Sequence, residues 1–126
     1  MMLKNIALVG FAGGLGSIAR FLCQKYIYAW NPHPFPIGTF LVNLFGSFLI
    51  GVFYGLSERG NLLTPEWRLL LTTGFCGGFT TFSTFSYENV TLLKNGDFLY
   101  FGLYTVGSVV LGILFTFGGI ILLKLI

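Results

Sequence analysis

The residues of this chain that could do chemistry are almost all uncharged. The densest group of them is the segment 72–86, TTGFCGGFTTFSTFS, in which glycines are followed by phenylalanines and hydroxyl-bearing side chains. Glycine and small hydroxyl-bearing residues are poor helix formers, so we predict a helix break near Gly77 and Gly78. Transporters use such breaks to hold ions, with carbonyls for cations and helix amino termini for anions. The alternative is a kinked helix whose hydroxyls bond to their own backbone.

Two phenylalanines of this segment and polar side chains in two other places could contribute to the same chemistry. Asn43 lies near the start of an apolar run, where a buried amide either bonds a neighbouring helix or lines a polar path. Phe82 and Phe85 are three residues apart and share a helix face. Such a pair either faces lipid or presents ring edges, whose positive potential attracts anions. A polar or small residue recurs every four positions near the end of the chain, at Tyr104, Ser108, Gly112 and Thr116. Such a stripe either passes a hydrogen-bonding solute along the helix or packs against another helix.

The composition excludes most classes of soluble protein. Of the 126 residues, 55% are hydrophobic and 9% are charged, whereas soluble domains carry about 25% charged residues. This composition excludes intrinsic disorder, and 7 Lys and Arg spread through apolar sequence form no nucleic-acid patch. Two cysteines and one histidine are too few for a metal or disulfide scaffold. With no phosphate-binding loop or catalytic triad in the sequence, we expect an integral membrane protein that is neither an enzyme nor a nucleic-acid binder.

Charged and turn-forming residues divide the chain into four spans. A bilayer-crossing helix needs about 20 apolar residues, and these runs do not alternate as barrel strands do. We therefore predict one all-α transmembrane domain, residues 1–126, with short turns such as 58–61 between antiparallel neighbours. Ser17 and Ala19 have signal-peptidase-like spacing, but Arg20 and more apolar sequence follow, so we expect the first span to be retained. The predicted spans are 5–28, 37–57, 66–93 and 98–124.

The distribution of Lys and Arg barely specifies an orientation. The side that holds the termini carries four (Lys4, Arg59, Arg68 and Lys124) and the opposite side three (Arg20, Lys25 and Lys94). Orientation follows Lys and Arg asymmetry, so either the chain inserts one way with a weak bias, or it inserts both ways and opposite copies pair. Four helices barely enclose a solvated path, which favours an oligomer. A row of small residues that predicts close helix contact consists of Ser47, Gly51 and Gly55.

The positions of the acidic residues favour a small anion. No Asp or Glu lies deep in a predicted span, and we expect Glu88, the nearest, at a membrane interface. A proton-coupled carrier needs a titratable group within the membrane, and a cation pore uses acidic rings. Two rival classes stay open. One is a small four-helix exporter of organic cations, whose required carboxylate is missing from the first span, and the other is a helper subunit without transport of its own.

Three segments of the sequence resemble the Fluc/CrcB fluoride channel family. GFCGGFTTFSTFS at residues 74–86 resembles the family's GGxTTFSTF segment, and GTFLVN at residues 38–43 resembles its GTLxVN segment. GGLG at residues 13–16, followed by Arg20, is similar to the family's first span. Length and span count also match, so the resemblance covers essentially the whole chain.

The resemblance implies a passive, fluoride-selective channel in a bacterial inner membrane. Fluoride enters cells as its neutral weak acid and is trapped as the anion, and the channel exports it and relieves its toxicity. The resemblance also implies an antiparallel, dual-topology homodimer with two pores, which agrees with the near-even charge count. A structural Na⁺ at the dimer centre would be held by the backbone carbonyls of Gly77 and Thr80 from both subunits.

The resemblance also implies roles for individual side chains. The family's paired phenylalanines correspond to Phe82 and Phe85, and its first-span arginine to Arg20, a charge that attracts anions into a vestibule. Some relatives carry a further hydroxyl one turn beyond Ser108, where this chain has Gly112. The polar pore-lining positions correspond to Asn43, Ser83, Thr84, Tyr104 and Ser108.

Overall fold

The computed structural model describes residues 1–60 and 62–126. Asn61, part of the predicted turn at 58–61, lies outside the described residues. The described residues form helices and loops but no strand, so the all-helical prediction is confirmed. The helices are α1 (Met2–Trp30), α2 (Ile37–Glu58), α3 (Pro65–Leu69), α4 (Gly77–Phe79), α5 (Phe82–Lys94) and α6 (Phe98–Leu125), and a π-helical segment, Leu70–Cys76, joins α3 to α4.

The described residues pass along the bundle four times. Helices α1, α2 and α6 are each long and apolar enough to cross a membrane, and residues 65–94 form a third pass that is discontinuous. Short connections at 31–36 and 95–97 make consecutive passes antiparallel. In the first connection, prolines remove backbone donors, which ends α1 before α2 begins. This is the architecture of a multi-pass membrane protein.

Two pairs of passes approach each other within backbone contact. α2 packs along α6, where a Cβ on Gly51 would overlap the carbonyl oxygen of Thr116. α1 packs along the third pass, where a Cβ on Gly78 would overlap the carbonyl oxygen of Gly13. In lipid, such close van der Waals contact drives helix association. The bundle is therefore two tightly packed helix pairs, with the third pass held against α1.

The break in the third pass lies at Thr80 and Thr81, not at the glycine pair where we predicted it. Gly77 and Gly78 are helical in α4, whereas Thr80 (φ −89°, ψ 157°) and Thr81 (φ −149°, ψ 120°) are extended. The glycines stay helical because weak intrinsic propensity is overridden by tertiary packing, here the close approach to α1. Thr81 then caps α5, since its Oγ1 accepts a hydrogen bond from the Thr84 amide at 3.2 Å.

The π-helical segment before the break has no counterpart in the sequence predictions. Within it, the hydroxyl of Thr72 donates to the carbonyl of Arg68 at 2.6 Å. Single π-helical turns inside α-helices frequently occur at functional sites. This one brings Thr72, Thr73 and Cys76 to the wall of the groove described below.

Candidate functional site

A single side chain of α2 holds the break in the third pass. The amide of Asn43 pairs with the backbone of Thr81: the Thr81 N–H donates to Oδ1 at 2.9 Å, and Nδ2 donates to the Thr81 carbonyl at 3.1 Å. These two bonds, the Asn43–Thr81 clamp, satisfy backbone groups that the interrupted helix no longer satisfies. Asn43 makes the interhelical bond that was one interpretation of its sequence position, and it also borders a groove.

The break in the third pass leaves the carbonyl groups of Gly77 and Thr80 without their helical donors. In a continuous helix, the N–H of Thr81 would donate to the carbonyl of Gly77, and the N–H of Thr84 to that of Thr80. Here the N–H of Thr81 donates to Asn43, and the N–H of Thr84 donates to the Thr81 hydroxyl. Carbonyl oxygens are ligands of hard cations. The donor set at the break therefore fits the Na⁺ site that the sequence resemblance implies.

A groove of about 540 Å³ runs beside the break, between α2, the third pass and α6. Among the described residues, no charged side chain borders it. The groove brings together most of the site residues that we named from the sequence: Asn43, Gly77, Thr80, Phe82, Phe85 and Ser108. Its other lining residues include further small or hydroxyl-bearing ones: Gly46, Ser47, Thr72, Thr73 and Thr81.

The hydroxyl of Ser108 is a polar atom without a partner in the wall of this groove. Its Oγ is buried and forms no hydrogen bond within the described part of the chain. Leaving a buried donor or acceptor unpaired costs about 1–3 kcal/mol. A native structure carries few such atoms, and each calls for an explanation such as an unseen water or ion. Ser108 therefore carries an unused hydrogen-bonding group beside the groove.

Three aromatic rings connect the groove to a second cavity. The ring centroids of Phe82 and Phe85 are 5.6 Å apart, and those of Phe85 and Tyr104 are 4.9 Å apart. Phe82 is 78% exposed in the single chain, whereas Tyr104 is completely buried. The rings thus run in sequence from an open side of the bundle to its interior.

The second cavity, of about 480 Å³, opens beside the connections 31–36 and 95–97. Glu88 borders it and accepts two hydrogen bonds. The hydroxyl of Tyr104 donates to Glu88 Oε1 at 2.8 Å, and the hydroxyl of Thr39 donates to Oε2 at 3.0 Å. The carboxylate therefore lies inside the bundle and fixes the orientation of two hydroxyl groups.

The sequence analysis placed Glu88 only at a membrane interface, which stays a prediction, and did not foresee its hydrogen bonds. The signal that could have revealed them is spacing, because Glu88 follows Thr84 and Phe85 by four and three residues and shares their helix face. Its partner Thr39 belongs to a longer chain of hydrogen bonds, since the side-chain amide of Gln24 donates to the Thr39 hydroxyl at 2.9 Å. That chain joins α1, α2, α5 and α6, which no local sequence pattern specifies.

Comparison with known proteins identifies the family. The sequence matches the family model described as CrcB-like protein, Camphor Resistance (CrcB), over residues 7–120. The chain belongs to the CrcB family. Three relatives carry the name fluoride-specific ion channel FluC. The one from Chlorobaculum tepidum is 50% identical over 125 residues, covering 99% of this chain and 98% of the relative. The one from Leptospira interrogans is 49% identical over 121 residues, covering 96% of this chain and 95% of the relative. The one from Phocaeicola vulgatus is 51% identical over 112 residues, covering 89% of this chain and 92% of the relative.

Four positions that we predicted for the site lie away from the groove wall in this CrcB-family chain. One is Tyr104, which is buried and whose hydroxyl donates a hydrogen bond to Glu88. Thr84 borders the second cavity, and its Oγ1 accepts a hydrogen bond from the Thr81 hydroxyl at 3.1 Å. The hydroxyl of Ser83 lies 3.4 Å from that of Thr81 on an exposed side of α5. Arg20 reaches the third pass from α1, where its Nε donates to the carbonyl of Gly78 at 3.1 Å. Their roles in transport stay predictions.

Replacing Asn43 by Leu tests whether the clamp holds the break in this CrcB-family chain. Leu has a similar volume but leaves the N–H and carbonyl of Thr81 unpaired, at about 1–3 kcal/mol for each buried group. We expect amide exchange in the peptide that contains Thr81 to be accelerated roughly tenfold or more, since about 1.4 kcal/mol is a factor of ten. Hydrogen–deuterium exchange with mass spectrometry on the detergent-solubilised protein measures this.

The control for the Asn43 variant is Thr91→Val, which removes an exposed hydroxyl that bonds only the carbonyl of Tyr87 in its own helix. Exchange around Thr81 is expected to stay at the wild-type rate in this variant. A wild-type rate in Asn43→Leu as well would mean that the side-chain amide does not hold the break.

Proposed function

We propose that the chain forms a fluoride-selective passive ion channel. The observation that carries this proposal is the buried, unpartnered hydroxyl of Ser108 in a groove that no charged side chain borders among the described residues. A hydroxyl donor in uncharged surroundings suits a small anion that is losing its water. Family relatives that are 49% and 50% identical are named fluoride-specific ion channels, a name for a channel and not an enzyme.

In this proposal, fluoride crosses the groove by stepwise replacement of its water molecules. Fluoride is small and strongly hydrated, so each lost water needs a substitute donor. Ser108 offers its free hydroxyl. The Nδ2 of Asn43 carries two hydrogens, and only one of them is needed for the bond to Thr81. Hydrogen bonds to charged groups are worth about 1.5–3 kcal/mol each, which is enough to bind an ion and weak enough, over several sites, to release it.

In the proposed route, the phenylalanine pair carries the ion from the groove toward the second cavity. The edges of Phe82 and Phe85 present weak positive potential, which attracts an anion without the deep trap that a full positive charge would create. Helix α5 begins at Phe82, and the amino terminus of a helix adds partial positive charge. Apolar ring faces on the same path disfavour larger, fully hydrated solutes.

Beyond the rings, the proposed route continues into the second cavity. The hydroxyls of Ser83 and Thr84 at the start of α5 provide the next donors. Glu88, which accepts hydrogen bonds from the hydroxyls of Tyr104 and Thr39, places negative charge near the mouth. That charge repels fluoride and favours its release to water, so the end of the route does not retain the ion.

We further propose that two copies assemble as an antiparallel homodimer with two pores. The groove is open on one side of the single chain, where Phe82 is 78% exposed and Gly77 is also exposed. A second copy would close it, and a symmetric pair would enclose one route per chain. The near-even split of Lys and Arg between the two ends supports insertion in both orientations.

The carbonyls of Gly77 and Thr80 are proposed to hold a structural Na⁺ at the dimer interface. The Gly77 carbonyl lacks its helical donor because of the Asn43–Thr81 clamp, and the Thr80 carbonyl lacks its own because the Thr84 N–H donates to the Thr81 hydroxyl. Two copies would contribute four such oxygens, the kind of ligand that hard cations select. A bound cation would neutralise oxygens that are otherwise unpaired between the subunits.

The proposed direction of transport is out of the cell. Fluoride crosses a membrane as its neutral weak acid and ionises in the cytoplasm, so an open, passive path lets the anion leave down its electrochemical gradient and relieves its toxicity. The named relatives are bacterial, and the proposed location is the bacterial inner membrane. The permanent charge of the Arg20 guanidinium would raise the anion concentration in the vestibule.

Fluoride efflux from liposomes tests the proposal against its rivals. Purified protein is reconstituted into vesicles loaded with potassium fluoride, and a fluoride electrode records release after valinomycin is added to carry the balancing K⁺. We expect rapid efflux that needs no proton gradient and is absent from protein-free vesicles. Proton-coupled uptake of an organic cation would favour the exporter class and assign Glu88 to proton binding, and the absence of any flux would favour a helper subunit.

The ring-edge contribution is tested by Phe82→Ile in the same vesicles. Isoleucine keeps the apolar bulk but removes the positive edge, so we expect efflux to fall roughly tenfold or more, an energy of about 1.4 kcal/mol at the barrier. Phe117→Ile is the matched control, because Phe117 is exposed on α6 and borders neither cavity. Equal efflux from both variants would refute the role of the ring edge.

Dual topology is tested with single cysteines at opposite ends of the bundle. In a chain with Cys23→Ala and Cys76→Ala, the exposed residues are changed one at a time, as Lys4→Cys and Asn95→Cys. We expect a membrane-impermeant maleimide to label about half of the copies of each variant on intact spheroplasts, because weak Lys and Arg asymmetry leaves orientation unspecified. Complete labelling of one variant together with none of the other would show a single orientation.

A further inference from the structure

We infer that Ser47 of α2 provides the conducting groove with a hydroxyl one helical turn beyond Ser108, at a level where α6 has none. This inference rests on the proposed function, because it extends the proposed route of the anion. In the sequence, Ser47 falls in a row with Gly51 and Gly55, for which helix packing is a sufficient reason. In the structure, the two glycines lie in close contact with α6, whereas Ser47 borders the groove.

The polar stripe of α6 does not continue beyond Ser108. Its next position is Gly112, one turn or about 5.4 Å along the helix, and this residue has no side chain. The hydroxyl of Thr116, a turn further on, donates to the carbonyl of Gly112 at 3.0 Å. Such bonding back to its own helix uses the single proton of the hydroxyl. A donor at this level of the groove must therefore come from another helix.

Ser47 stands opposite the missing side chain. A Cβ placed on Gly112 would lie 3.7 Å from the Oγ of Ser47. Ser47 and Ser108 border the same groove, one from α2 and the other from α6. Because Ser108 and Gly112 are one turn apart, the hydroxyl of Ser47 continues the line of donors at the next level. An ion held by the unpartnered Ser108 hydroxyl would find its next donor across the groove.

Helix packing does not explain the glycine at position 112. At Gly51, a Cβ would overlap the carbonyl oxygen of Thr116, so packing of α2 against α6 requires glycine there. At Gly112, the nearest atom to such a Cβ is the Ser47 Oγ itself, at an ordinary van der Waals distance. A side chain would fit, and its absence leaves open space next to a hydroxyl. That space is where the inference places the passing anion.

The experiment moves the hydroxyl from one helix to the other. Ser47→Ala, Gly112→Ser, the double variant Ser47→Ala/Gly112→Ser and the control Thr116→Val are assayed with the wild type for fluoride efflux from vesicles. We expect Ser47→Ala to lower efflux roughly tenfold, the upper range of one hydrogen bond. The double variant is expected to regain most of the wild-type rate, and Thr116→Val to match the wild type, since its hydroxyl serves its own helix.

The outcomes separate the inference from the proposed function. If the wild type carries no fluoride, the proposed function fails and the inference with it. If the wild type conducts and Ser47→Ala conducts equally well, only the inference fails. If Ser47→Ala is slow and the double variant is equally slow, Ser47 acts in packing and the inference is refuted, because the relocated serine restores the hydroxyl but not the packing at position 47. Size-exclusion profiles that match the wild type exclude misfolding in each variant.

Discussion

The pairing of the Asn43 side-chain amide with the peptide group of Thr81 is the constraint on which the rest of the site depends. An amide has the same donor and acceptor as a peptide group, so one side chain can replace the backbone partners that a broken helix loses. Within a membrane, an unsatisfied backbone group costs several kcal/mol, and this pairing removes that penalty at the two groups of Thr81. The Gly77 carbonyl loses its helical donor to this pairing, and α5 begins directly after the paired residue, capped by the Thr81 hydroxyl and opening on the phenylalanine pair.

The architecture could be predicted from the sequence because a bilayer requires about 20 consecutive apolar residues for each spanning helix. Apolar runs bounded by charges and prolines indicate spanning helices directly, and among the described residues three of the four runs are unbroken helices. The position of the break could only be approximated, because helix propensity describes a residue's own preference. Gly77 and Gly78 have the weaker preference, yet packing against α1 keeps them helical. Asn43, whose side chain satisfies the backbone at the break, is 38 positions away from Thr81 in the chain.

The site residues that belong to recognisable sequence motifs could be predicted, and those that depend on contacts between distant helices could not. Six of the positions named from the sequence line one groove, including Asn43, Phe82 and Ser108. The π-helical segment and the hydrogen bonds of Glu88 were not foreseen, because both depend on contacts between distant helices. No charged side chain borders the groove in the part of the chain that the structure describes, so selectivity in the proposed channel would come from the number and direction of weak donors. Such an arrangement would bind a small anion weakly enough to release it.

The dependence of the break on a neighbouring helix has a consequence for biogenesis. A continuous apolar helix can enter lipid alone, since all its backbone bonds are internal. Residues 65–94 cannot, because the backbone of Thr81 is satisfied only when α2 is already beside it. Leaving the translocon singly would expose these groups to hydrocarbon. The third pass must therefore be released together with α2, or be held at the protein-lined exit until the two have docked, so that the functional break is also a checkpoint in membrane insertion.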